Sequence, residues 1–234
     1  MSNSVGPFGW QNWRAYSGGE SVSADEVACY TDAEVAGEVL EGLGPFELLN
    51  IPPGPVRSGE AQLAVVLRIG YYAVGKSAQL QGPKTNVGGY HGGNIGDELA
   101  SLISLALDCR LKAAGTIRNF FPSAGPRGRP RDLNHRRPYL APTAGILPGL
   151  PGTVRLDDCV PLLQRYPQLS PEQVDSLLRA ARAYQQALSV AEDDPALAWL
   201  KLVSAVEAAA NQWAGGSEPS EKVLRELEPE LAAI

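Results

Sequence analysis

Ser170-Pro-Glu-Gln-Val-Asp-Ser-Leu-Leu-Arg-Ala-Ala-Arg-Ala-Tyr-Gln-Gln-Ala-Leu188 is the most legible stretch of the 234-residue chain. Ser170 is placed to accept a free amide at a helix start, Pro171 fits the first helical position, and Gln173 completes a capping box. Val174, Leu177, Leu178, Ala181, Tyr184 and Leu188 then recur at helical spacing, which predicts a helix running to about Ala191. Asp194-Pro195 opens a second helix that ends at Gly215-Gly216. Its inner side is expected to carry Leu197, Leu200, Val203, Val206, Ala209, Ala210 and Trp213. The short connection predicts antiparallel neighbours. A third helix is expected after Ser220, with Val223, Leu224 and Leu227 on its apolar side.

The first half of the chain reads differently. Gln62-Leu-Ala-Val-Val-Leu-Arg-Ile69 is rich in branched residues and predicts a strand, extendable through Tyr71 and Tyr72. Glu26–Tyr30 and Phe46–Ile51 are further strand candidates. A helix is expected over Asp32–Leu43, stopped by Gly44, and a second over Asp97–Lys112, where Asp97 and Glu98 complement the helix dipole. Residues 1–23 are polar and are expected to be only partly ordered. Residues 115–157 are rich in proline, glycine and arginine and read as a connector.

The predicted fold class is therefore α+β: a small mixed α/β domain over 24–114, the connector, and an all-helical bundle over 158–234. No internal repeat is visible.

Composition narrows the function classes. No apolar run approaches the roughly 20 residues a membrane span requires, and Met1–Gly19 lacks a secretory signal. Cys29, Cys109 and Cys159 are widely spaced and read as reduced thiols, so a cytoplasmic protein without membrane contact is expected. With two histidines and no CxxC, neither metal nor cofactor is expected. Net charge is −6, yet Arg110–Arg137 holds eight basic residues and one acid, Asp132. Arg118, Arg127, Arg129, Arg131, Arg136 and Arg137 are candidate contacts for RNA or DNA phosphates. The alternative is an arm that is solvated or docked on the protein's own acidic surface.

Three patterns bear on chemistry. Gly70-Tyr-Tyr-Ala-Val-Gly75-Lys76-Ser77 follows a strand and satisfies the spacing of a phosphate-binding loop, where Gly70, Gly75, Lys76 and Ser77 would cradle phosphate and magnesium. Its bulky tyrosines, and Gly82-Pro83 where a helix should run, also fit a simple turn. Gly88–Gly96, around His91, leads into a helix start and could hold an anion, although Asp97 and Glu98 oppose one and fit caps better. Glu207 interrupts an apolar helical run. It is either a buried carboxylate needing a partner, and so a catalytic candidate, or a residue at the edge of the helix face.

The helix pair Ala180–Leu188 and Asp193-Asp-Pro-Ala-Leu-Ala-Trp-Leu-Lys-Leu-Val-Ser-Ala-Val-Glu-Ala-Ala209 resembles the first helix pair of Apea-like HEPN domains, over about residues 170–215. The resemblance implies a bacterial helical bundle of a defence or toxin-type system that binds nucleic acid, assembles into oligomers or pairs with another protein. It also places Glu207 at the family's acidic position. Many members are metal-independent ribonucleases that use Arg-x(4–6)-His on a later helix. That signature is absent after residue 213, and Arg129 with His135 matches the spacing only in the Pro-rich segment. A non-catalytic interaction module is thus the leading expectation. A ribonuclease follows if the natural chain continues and supplies the signature. A phosphate-binding domain and a structural assembly protein are the other two readings.

Overall fold

The computed structural model describes residues 6–16, 21, 23–31, 33–51, 62–72, 94–120 and 153–213. In chain order the elements are α1 (Phe8–Ala15), β1 (Ser23–Thr31), β2 (Glu34–Ala36), β3 (Phe46–Asn50), β4 (Gln62–Tyr71), α2 (Ile95–Leu107), β5 (Leu111–Phe120), β6 (Thr153–Arg155), α3 (Val160–Leu163), α4 (Pro171–Val190) and α5 (Pro195–Trp213). The class is α+β. Four strands form an antiparallel sheet in the order β3-β4-β1-β5, and β2 pairs with β6 in parallel.

Alternation along the strands gives the sheet two buried faces. Val27, Cys29, Phe46, Leu48, Val65, Leu67 and Ile69 point to the helices, and Ala28, Tyr30, Leu49, Ile51 and Val66 form a second cluster behind. On the helix side, Ile95, Leu99, Leu102 and Ile103 of α2 meet the sheet, and Val174, Leu178, Ala181 and Leu188 of α4 close over α2. One apolar cluster thus runs from Trp10 to Leu188 and joins residues of the predicted mixed domain to those of the helical unit. Near its far end, buried Arg110 and Glu192 face each other at 3.8 Å, the Tyr184 hydroxyl donates to Asp108, and Gln185 donates to the Leu111 carbonyl at 2.5 Å.

Three stretches depart from the expectations. Residues 8–15 form a buried helix. Its Trp13 ring meets Phe46 edge-on at 5.2 Å, and its Trp10 indole N–H donates to the Leu169 carbonyl at 3.1 Å. Aromatic burial anchors this short helix where the polar composition suggested partial order. Residues 32–43 are not helical: β2 and a single bridge between Val39 and Leu48 occupy the described part. Gly37, Gly42 and Gly44 adopt φ of 79°, 86° and 58°, a left-handed path incompatible with a continuous helix. At Gly44 a Cβ would also overlap the Trp13 indole. Finally, the chain re-enters the sheet after α2. Asp108 takes φ 48° at the helix end, and β5 pairs with β1 where the connector was expected to begin. Gly115, at φ 105°, lies where the register slips between Val27 and Cys29.

Candidate interaction surface

Helix α4 starts as its sequence dictates. The Gln173 amide donates to Ser170 Oγ at 3.3 Å, and Gln173 Oε1 accepts the Ser170 amide at 2.9 Å. Four residues beyond α4, Asp194 Oδ1 accepts the Leu197 amide at 2.9 Å and starts α5.

Helix α5 packs on α4 through its smallest side chains. Ala198 and Ala205 are buried, with half-buried Lys201, Leu202 and Ala208 beside them. Their spacing of seven residues is just under two turns, so both methyls lie along one line. On α4, Ala180 and Ala187 are buried and lie on the side from which Ser176 reaches Gln212 at 3.4 Å. An alanine face against an alanine face lets two backbones approach closely.

The expectation that Leu197, Leu200, Val203 and Val206 form the inner side of α5 is corrected. Trp199, Leu200 and Val206 are 66 %, 62 % and 68 % exposed, and Leu197 and Val203 are also exposed. Seven large apolar side chains are exposed among the described residues, and five of them are on this helix. The physical reason is that α5 is apolar on two sides, and the small one docks. Each large side chain left in water forgoes roughly 1.5–3 kcal/mol of burial free energy.

The other predicted residues fall elsewhere. Glu207 is exposed on the outward side of α5, at the edge of the apolar stripe. Gly70 lies within β4. Its amide donates to the Pro45 carbonyl at 2.8 Å, and its carbonyl accepts from the Asn12 amide group at 2.8 Å. Gly75, Lys76 and Ser77 lie outside the described residues, as do Arg127, Arg129, Arg131, Arg136, Arg137 and the region of the expected third helix.

Arg118 is half-buried on β5 and belongs to a row of charges crossing all four strands. Glu47, Arg68, Glu26 and Arg118 stand at matched register on β3, β4, β1 and β5. Glu26, fully buried, accepts from Arg68 at 2.9 and 3.0 Å and from Arg118 at 2.7 and 2.9 Å, while Arg68 reaches Glu47 at 2.5 Å. Alternating signs pair each buried charge with its opposite, as burial of Glu26 requires. This ties Arg118 to the sheet.

Sequence reasoning missed Glu98. Asp97 is a cap as expected, closing a capping box with Asn94, but Glu98 is 1 % exposed and receives the Gly9 and Phe8 amides of α1 at 2.7 and 3.2 Å. Burial pushes its carboxyl up to about 7, against the lowering effect of those two amides. The available signal was its place in the stripe Ile95, Glu98, Leu99, Leu102. Burial likewise pushes the Cys29 and Cys159 thiols up to about 12, leaving them poor nucleophiles. Among the described residues no cluster of three metal-ligating side chains occurs, and no helix is long and apolar enough to cross a membrane.

Comparison with known proteins finds no matching family model, no curated relative and no matching solved structure.

Proposed function

We propose that this chain is a protein-interaction module of the helical, HEPN-like kind that the resemblance over residues 170–215 implies, acting in a bacterial defence or toxin-type system. Its working surface is the outer face of α5. The carrying observation is the outward stripe of Trp199, Leu200, Val203 and Val206. Contiguous exposed apolar surface of this kind marks an interaction site. Tryptophan, the residue type most enriched at binding hot spots, sits within it.

The shape of the surface selects its ligand. A straight stripe of apolar side chains on one helix is complementary to the apolar face of another helix. Apart from Glu207 at its edge, the stripe carries no charge, so recognition rests on apolar packing.

The test is binding of a synthetic helical peptide carrying leucine at the first and fourth positions of each heptad. It is expected to bind in the micromolar range, to shift tryptophan emission to shorter wavelength, and to lose at least tenfold in affinity to V206E. Equal binding to wild type and V206E, or none to wild type, overturns this function.

A further inference from the structure

We infer that α1 is a pH-operated latch, seated on α2 through the Glu98 side chain and loosened from it as pH rises.

The seat is built around one carboxylate. Helix α1 has eight residues, too few to be stable alone in water. Its N-cap is Pro7, whose side chain offers no acceptor, so the first amides of the helix need one from elsewhere. Glu98 supplies it from α2: Oε1 accepts the Phe8 amide at 3.2 Å and Oε2 accepts the Gly9 amide at 2.7 Å. A Cβ at residue 9 would stand 2.9 Å from Glu98 Oε2. Glycine weakens a helix, and here it lets the carboxylate reach the backbone.

The other contacts of α1 do not titrate near neutrality. The Trp13 ring lies 5.2 Å from Phe46 and 6.2 Å from Tyr166, and the Trp10 N–H donates to the Leu169 carbonyl. The Asn12 side chain donates to the Gly70 carbonyl at 2.8 Å and accepts the Tyr72 amide at 3.0 Å. These contacts act in both protonation states of Glu98, so its proton tunes the strength of the seat.

Several elements bring charged or titratable groups to the seat. On α2, Asp97 opposes ionisation of Glu98, and on α4, Arg182 favours it. On α1, Arg14 stands over the Trp10 ring at 4.8 Å. The Tyr166 hydroxyl lies on the same side of Gly9 as Glu98, and Cys29 of β1 is kept a neutral thiol by burial. Burial outweighs the two amides and Arg182, and holds the Glu98 carboxyl at about 7 while α1 is seated.

An ionised carboxylate is costly to bury. A neutral carboxyl costs far less and still accepts an amide through its carbonyl oxygen. Unseating α1 wets Glu98 and returns it to the usual carboxylate range, near 4.3. Between those two values the seated form holds the extra proton. The seating constant therefore falls as pH rises through this window and is level above it. Release uncovers Phe46 and Tyr166, the bed of the Trp13 ring.

The experiment is hydrogen exchange on the full chain at pH 5.5 and 8.5, corrected for the intrinsic pH dependence of amide exchange and read as protection over residues 8–15. Wild type is expected to lose about thirtyfold in protection between the two. E98Q, which keeps an acceptor and does not titrate, is expected to lose less than about threefold. Leu178→Ala, which weakens the core beneath α4, is expected to lower the protection of α4 and leave that of α1 unchanged, as a local opening requires.

Protection over residues 8–15 that is independent of pH in wild type, or that falls equally in E98Q, overturns the inference. So does an equal loss in α1 and α4 on Leu178→Ala, because α1 would then leave its seat only when the whole chain unfolds. Should E98Q fail to fold, wild type and Leu178→Ala decide between these results.

Discussion

Helices α4 and α5 are neighbours of 20 and 19 residues, each opened by a side-chain cap and a first-turn proline. They use apolar side chains in opposite ways. Helix α4 buries Val174, Leu178 and Leu188 in the main cluster and turns alanines toward α5. Helix α5 buries alanines and turns Trp199, Leu200, Val203 and Val206 outward. Periodicity identifies a helix and its apolar sides, but it does not say which side docks when there are two. The inner layer takes up the large side chains because α2 and the sheet lie beneath it. Among the described residues the outer layer packs chiefly on α4, and a smooth alanine seam suffices there.

That contrast is broken most sharply by truncating equivalent residues. Leu178→Ala, in α4, is expected to lower stability by about 2–5 kcal/mol, measured by denaturant unfolding, because it opens a cavity in the core. Leu200→Ala, in α5, is expected to stay within about 0.5 kcal/mol of wild type in a dilute sample. Comparable losses at the two positions would erase the distinction.

Glu98, on the inner side, gives the next largest effect and a pH signature. Its carboxyl titrates near 7 when folded and near 4.3 when unfolded. Between those values the folded chain holds the extra proton, so stability contributed by this group falls as pH rises through the window and is level above it. The gain of Glu98→Gln over wild type is expected to grow by up to about 3 kcal/mol between pH 4.5 and 7.5. A pH-independent difference would remove the buried carboxyl from the account. Filling the seam comes next. Ala198→Leu is expected to cost about 1–3 kcal/mol by separating α5 from α4. Ser170→Ala, at the cap of α4, is expected to cost about 1 kcal/mol in the same assay.

Much of the fold was legible before its structure. The branched run of β4, the strand-like β1 and β3, and the capped helices α2, α4 and α5 each agree with local propensity. Local signals failed where tertiary contacts decide. Strand β5 is a Gly-containing, basic segment that pairs at the sheet edge because Glu26 draws Arg118 across. Helix α1 is held by Glu98 and Phe46, distant in sequence. The run 32–43 has helical spacing, but its glycines take a left-handed path. The candidate surface was visible as residues and inverted in direction. Glu207 is exposed at the edge of that surface.

Placing a charge at Val206 tests the outward stripe most directly. V206E is predicted to unfold within about 0.5 kcal/mol of wild type, because the Val206 side chain lies in water. A loss of several kcal/mol, as expected for a charge forced into a packed interior, would mean that this face of α5 is core and would contradict the account.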